Sequence, residues 1–394
     1  MRALVPVAVV AGLVVGSVTM LLLDDGDDVE PARPRAVPVE TRAAEPANAL
    51  ADPVLLIWTP DGLPDDLGSH VAALDDVVRV TEVDGDPVRM VASRASDGSF
   101  VDQLTDGFVI GLDALAVEPS PYAAFLPKGA ATAVSVLAPG EAILGATSAT
   151  VRRLAVGGSL TLDTGEELRV AAIMDDALVG GAEVVVARGA LASVTTPRFL
   201  LVEHGGRREE VERAVRELLP PGSAVRFRAP GETPLLRQGD AVLTQAQVKQ
   251  QFGEFAYRPL AGRDIEIDPA WTRENIVTAA VPRLGDIRCH RTIIEELRSA
   301  LVDLEQRNLG YLVTPDAISG CAVPRLVEPG GALSRHAWGI AIDINTAKNP
   351  EGEAGVQDER LVDALAATGF AWGGPWLVPD PAHFEWIGTT APGE

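Results

Sequence analysis

The chain has 394 residues, a net charge of −23 and 47% hydrophobic residues, enough apolar material to build a substantial core. So negative a chain repels phosphate backbones, which excludes nucleic acid as a partner. The length beyond the N-terminal segments exceeds one ordinary core and predicts two folded domains.

Arg2 precedes an uncharged apolar run from Ala3 to Leu23, which Asp24 and Asp25 end. The run is long enough for a hydrocarbon core of about 30 Å and predicts a transmembrane signal-anchor over 1–23. A cleaved signal peptide shares the basic start and apolar middle and is the alternative. With Arg2 as the nearby basic residue, the rest of the chain is expected outside. The expected location is the cell membrane, single-pass, with extracytoplasmic folded domains. Residues 24–53 are rich in Asp, Glu, Pro, Ala and Arg without apolar periodicity, and read as a disordered linker.

Residues 54–228 alternate short apolar segments with turn signals, an α+β pattern. Val54–Trp58 reads as a buried strand and Ser69–Leu74 as a short helix. Leu160 and Leu162 face Leu168 and Val170 across the Asp163-Thr-Gly165 turn, which predicts a hairpin. Further strands are expected at Ala182–Ala187 and Arg198–Val202. Glu209–Leu219 is an amphipathic helix with Val211, Val215 and Leu218 inward, stopped by Pro220-Pro221. This domain holds no nucleophile motif, phosphate loop or metal-spaced His/Cys set. His70 and His204 read as surface or hydrogen-bonded residues.

The segment Gly140-Glu-Ala-Ile-Leu-Gly, running on to Gly157-Gly-Ser-Leu-Thr-Leu162, resembles the extracytoplasmic domain of macrolide-exporter and cell-division-type permeases. That resemblance implies a protein-contact or spacer role, hence a possible protein partner, and no chemistry. Residues 229–241 mix Pro, Gly and charge without periodicity and read as a hinge.

The second domain is expected over 242–394. Thr244 with Gln247 three residues on is a capping box that opens a helix. His290–Asn308 carries an apolar stripe of Ile293, Ile294, Leu297, Leu301 and Leu304, stopped by Gly310. His290 is expected to cap or pack at the start of that helix, and Tyr311–Pro315 to form a strand. Asp358–Thr368 is a further helix with Leu361 and Leu365 inward. Trp372-Gly-Gly-Pro-Trp376 is an aromatic turn that floors a groove or closes the core. Cys289 and Cys321 are the two cysteines, and an even pair in an exported chain predicts a disulfide. A nucleophilic Cys beside His290 is disfavoured, because sequence neighbours point in different directions.

The stretch Leu333–Asn345 is the most informative. Ile340, Ile342 and Ile344 alternate along a strand while Asp343 faces the other way. An acid in so apolar a run is costly to bury unless a cation or hydrogen bond compensates it. Asp380-Pro-Ala-His-Phe-Glu-Trp386 offers another histidine and two acids. His336, Asp343 and His383 make a three-ligand set for catalytic Zn²⁺, with a fourth position open to water.

Ser334-x-His336-x-x-Gly339-x-Ala341-x-Asp343, followed by Asp380-x-x-His383-Phe-Glu-Trp, resembles the zinc peptidases of the D-alanyl-D-alanine carboxypeptidase family. That family includes vancomycin-resistance carboxypeptidases and phage L-alanyl-D-glutamate endopeptidases. The resemblance implies an α+β zinc peptidase domain with a central antiparallel sheet. It implies Asp380 as the catalytic acid–base group, with Glu385 as the alternative or as an acceptor that orients a ligand histidine. It also implies Arg325 as the arginine for a substrate carboxylate, with Arg283 and Arg335 as alternatives. Ser334 would donate to substrate or set the turn. The expected function is a membrane-anchored zinc metallopeptidase acting on peptidoglycan stem peptides, foremost a D-alanyl-D-alanine carboxypeptidase. The alternatives are an L-alanyl-D-glutamate-type endopeptidase and a non-catalytic cell-wall scaffold.

Overall fold

Every residue of Val54–Trp58 is buried, and successive side chains enter different cores. Leu55 and Ile57 meet Val211 and Val215 of the helix Arg208–Leu218, while Leu56 and Trp58 face the opposite layer. A strand covered on both faces reads as an unbroken apolar run, which is why no polar alternation marks it. The computed structural model describes residues 53–315 and 317–388.

This strand belongs to a ten-stranded sheet. In order across it lie Arg226–Arg228, Val54–Trp58, Pro197–His204, Val77–Arg94, Ile110–Val117, Val184–Ala187, Glu141–Gly145, Glu167–Met174 and Ser159–Leu162. Phe100–Gln103 pairs with Val77–Arg94, which is long enough to pair again with Ser159–Leu162. That second pairing closes half of the sheet into a barrel filled by Met90, Leu112, Leu144, Leu160 and Val170. The expected hairpin forms with Leu160 opposite Leu168. In the helix Arg208–Leu218, Val211 and Val215 are buried but Leu218 is 39% exposed. The chain leaves helical geometry at Leu219, and that residue takes the buried place.

The C-terminal part is built on a four-stranded antiparallel sheet, ordered Ile318–Ser319, Ala341–Ile344, His383–Trp386, Phe370–Trp372. Its core takes Leu297, Leu301 and Leu304 from the helix Ile294–Gln306, and Leu361 and Leu365 from Glu359–Ala366. The long helix does not start at His290. Gly285–His290 is a strand paired with Ile276–Val281, and it alternates buried Ile287 and Cys289 with exposed Asp286 and Arg288. The expected Tyr311–Pro315 strand is absent from the described residues. Gly310–Leu312 forms a tight helical turn with Tyr311 exposed. The Asn345 side chain bonds Leu312 O and Thr314 N, satisfying groups that a neighbouring strand would otherwise pair.

The capping box at Thr244 and Gln247 forms as expected and opens the helix Gln245–Phe252. That helix carries Lys249 and Gln245 to Glu183, a fully buried acid on the large sheet's side. Glu183 receives Lys249 at 2.8 Å, Gln245 at 2.6 Å and Arg152 at 2.7 Å. Residues 229–241, expected as a hinge, are fastened at their ends. Arg228 donates to the carbonyls of Arg237 and Gly239 and pairs with Asp240, which also accepts from Leu377 N. Both parts fall within one compact unit.

The anchor expected over 1–23 and the linker up to residue 52 lie outside the described residues. Among the described residues, no helix is long and apolar enough to cross a membrane. Cys289 and Cys321 are bridged, tying the 276–290 hairpin to the loop after Ile318–Ser319. The denatured, unreduced protein should therefore show no titratable thiol. Removing the bridge by Cys289→Ser should lower stability by about 3–4 kcal/mol, read from denaturant midpoints.

Burial raises the pKa of Glu183, but Lys249 and Arg152 outweigh it and hold the group at about 2. Its stabilising contribution is complete above the unfolded value of 4.5 and is lost as pH falls towards about 2. Unfolding free energies measured across that window should fall with acid, and Glu183→Gln should flatten the curve. At neutral pH that variant should cost up to about 3–5 kcal/mol, because it leaves two buried cations, Arg152 and Lys249, to share Glu254 alone.

Candidate metal centre

Ser334 sets the turn that enters the site. Its Oγ accepts from His336 N at 3.3 Å, and Arg335–Trp338 forms one tight helical turn. Gly339 ends the turn at φ 71°, a left-handed conformation that favours glycine. A Cβ there would lie 2.9 Å from His290 N, which bonds the Gly339 carbonyl. The chain then runs through Ile340 into the strand Ala341–Ile344; Ile340, Ile342 and Ile344 enter the core and Asp343 stays half-buried. His383 sits directly opposite Asp343 on the neighbouring strand.

His336 Nε2 lies 3.1 Å from Asp343 Oδ1, and His383 Nδ1 lies 3.0 Å from the same oxygen. The candidate ligand atoms of all three residues lie within 4.8 Å of one another. His336 Nδ1 is 3.1 Å from Gly320 O and donates to it, so in the neutral ring Nε2 turns a lone pair to Asp343 and donates to it only when protonated. An imidazole lone pair and a carboxylate oxygen repel at that distance unless a cation lies between them. The bridged Cys321 holds the adjoining Gly320 carbonyl in place, so the disulfide supports this tautomer. The donor set of two imidazole nitrogens and one carboxylate fits a divalent transition ion with an open position.

The electrostatics agree. Burial raises the pKa of Asp343, but hydrogen bonds to His336 and His383 prevail and hold the carboxyl well below its usual range. Burial lowers that of His383, but Asp343 and Glu385 reverse this and push it up to about 9. The bare His383 imidazole therefore holds its proton, and a metal ion must displace it.

Asp380 and Glu385 occupy opposite sides of His383. Asp380 lines the cleft with Oδ2 4.0 Å from His383 Nδ1, and burial raises its pKa. Glu385 is buried on the Nε2 side of the ring, in the wall of the same cleft, with Oε2 3.8 Å from His383 Nε2 and 3.6 Å from Arg335 Nε. Its Oε1 accepts from Val242 N at 3.2 Å, whereas among the described residues Oε2 has no hydrogen-bond donor. Burial raises the Glu385 pKa, but His383 and Arg335 outweigh it and hold the group below the usual range.

Arg325 lines the same cleft, with Nη2 3.9 Å from Asp343 Oδ2. Arg335 is already engaged by Leu243 O at 2.5 Å and by Glu385. Arg283 pairs with Glu305 and does not line the cleft. The aromatic turn divides its tasks. Trp376 lines the cleft 5.2 Å from the His383 ring, whereas Trp372 fastens the Pro381 carbonyl at 2.8 Å. His290 is not part of the cluster. It packs with Nε2 3.3 Å from Phe252 O, and burial lowers its pKa to about 4. His204 accepts from Gly206 N and His70 is exposed. Sequence reasoning missed Arg263, Asp113 and Gln245, which also line this cavity of about 290 Å³. They come from distant segments and no local motif marks them.

Residues 328–386 match the family model described as D-alanyl-D-alanine carboxypeptidase. The segment that carries the cluster thus bears a peptidase family's signature. No curated protein matches the chain. Among solved structures, the periplasmic region of MacB from Actinobacillus actinomycetemcomitans is similar at 9% identity and a TM-score of 0.32, over 47% of this chain and 92% of that one. The extracellular domain of the ABC-type transporter YknZ from Gram-positive bacteria is similar at 11% identity and a TM-score of 0.29. That match covers 45% of this chain and 100% of that one.

His336→Ala and His383→Ala should each abolish stoichiometric binding of a divalent ion. Metal analysis of the purified variants checks this, and an unchanged metal content would sink the ligand assignment.

Proposed function

We propose that this protein is a zinc peptidase that removes terminal residues from peptidoglycan stem peptides as a D-alanyl-D-alanine carboxypeptidase. Residues 1–23 would tether it to the membrane, with the catalytic part extracytoplasmic, where the Cys289–Cys321 bridge is stable. The observation that carries this reading is the convergence of His336, Asp343 and His383 inside the segment that matches the peptidase family.

Those residues would hold Zn²⁺. When bound, the ion supplies Lewis acidity and brings water ionisation into the neutral range. Asp380 takes the proton from the attacking water and returns it to the leaving amine. Its place in the cleft and its burial-raised pKa suit both transfers. Glu385 positions His383 through the ring nitrogen that faces away from Asp343. Arg325 holds the terminal carboxylate of the substrate, a task that suits a guanidinium with 27% of its side chain exposed beside the cluster. Trp376 supplies an apolar wall and limits water around the reacting bond.

Digestion of purified muropeptides, with fragments identified by mass, tests the assignment. Release of a terminal D-alanine is the expected result. Cleavage within the stem would make the protein an endopeptidase, and no cleavage by zinc-loaded protein would favour the scaffold. Asp380→Asn should keep the metal and lose about 10²-fold or more in rate. Glu385→Gln should lose less rate but weaken zinc binding by about 10- to 100-fold. The reverse pattern would transfer the acid–base role to Glu385.

A further inference from the structure

The cleft beside the His336–Asp343–His383 cluster adjoins a larger cavity of about 370 Å³. Asp113, Gln245, Val327, Ala332 and Arg335 line both, so the two lie side by side. The larger one reaches across to the first sheet, where Trp58, Phe199 and Leu115 form apolar wall. The first sheet thus supplies part of the surface that continues from the reacting centre.

Asp113 stands at the junction, on the strand Ile110–Val117. Its backbone N–H and carbonyl are both satisfied by Glu183, at 3.0 Å each. Its carboxylate is different: among the described residues, no side chain bonds or pairs with it. Burial and the neighbouring Glu183 push this carboxyl up to about 6. Lys249, Arg335 and Arg237 oppose that rise through space, but the nearby cations give their hydrogen bonds to other groups, Lys249 to Glu183. Arg198 serves Asp86 and Gly85 O, Arg237 serves Ala241 O and Val242 O, and Arg335 serves Leu243 O. A half-buried carboxylate with no donor, lining an open cavity, has an unmet demand for a cationic hydrogen-bond donor.

We infer that the adjoining cavities form an extended peptide-binding cleft, in which Asp113 receives an amino group borne by the substrate at a distance from the scissile bond. The inference rests on the peptidase reading and deepens it. The occupant is a peptide with its reacting bond at His336, Asp343 and His383 and a free primary amine reaching Asp113. The first sheet then takes part in choosing substrates.

Asp113→Asn tests this, because it keeps side-chain shape and breaks no bond to a described residue; an unchanged denaturation midpoint checks the fold. The probes are two synthetic peptides ending in D-Ala-D-Ala, identical except that the side-chain amine is free in one and acetylated in the other. The zinc-loaded wild type should prefer the free amine by about 10-fold or more in kcat/KM, the scale of a charge-assisted hydrogen bond. Asp113→Asn should erase that preference and leave the acetylated peptide's rate unchanged. A preference that survives in Asp113→Asn, equal losses on both peptides, or no preference in the wild type would overturn the proposal. Calorimetric binding of the same peptides separates it from the peptidase reading. Should neither peptide be cleaved, that reading fails, and the cleft stands only if Asp113→Asn selectively weakens the free-amine peptide. Absent or unchanged binding overturns the cleft as well.

Discussion

Asp343 places a carboxylate on a strand whose neighbouring residues are apolar and buried, and the cost of doing so organises the C-terminal half. An ionised acid in that position needs positive charge or donors close at hand. His383 answers from the next strand, directly across the ladder, and His336 from the turn before. Each of those histidines needs its own orientation. Gly320 O sets one ring, and Glu385 stands at the far nitrogen of the other. Ser334, Gly339 and the Cys289–Cys321 bridge then hold the backbone that carries them.

The site is also anchored from outside its own sheet. Val242 N bonds Glu385, Leu243 O takes Arg335, and Asp240 accepts from Leu377 in the turn that carries Trp376. Each contact joins the connector between the two sheets to a residue beside the cleft. The buried Glu183 cluster fixes the helix that follows the connector. Buried ion pairs add little net stability over apolar packing, but breaking one is costly. Such pairs suit a joint that must keep one arrangement, and the cleft requires one because both sheets line it.

Three buried or half-buried carboxylates in this protein show how environment decides role. Glu183 is surrounded by cations, sits well below its ordinary range and serves structure. Asp343 is met by two imidazoles and is the natural ligand of a cation. Asp113 lies against Glu183 and open space, and its carboxyl is raised. The chemistry of the side chain is shared; what differs is whether donors, acceptors or solvent stand opposite.

Local order was legible in the sequence where neighbours along the chain decide it. The capping box at Thr244, the Leu160–Leu168 hairpin and the Ile340–Ile344 alternation each depend on residues a few positions apart. The meeting of His336, Asp343 and His383 was legible too, because two short motifs carry all three. Where the helix after His290 begins was not, since Ile293 suits a helix stripe and Ile287 a strand equally well, and pairing with Ile276–Val281 made the choice. Sequence also left Asp380 and Glu385 ambiguous. Both line the cleft, and only the folded arrangement sets Asp380 beside His383 Nδ1 and Glu385 beside Nε2. The closure of the long Val77–Arg94 strand into a barrel, and the arrival of Asp113 and Gln245 beside the cluster, join segments far apart in the chain. Such contacts form when distant apolar faces are buried together, and no spacing within either segment encodes which faces will meet.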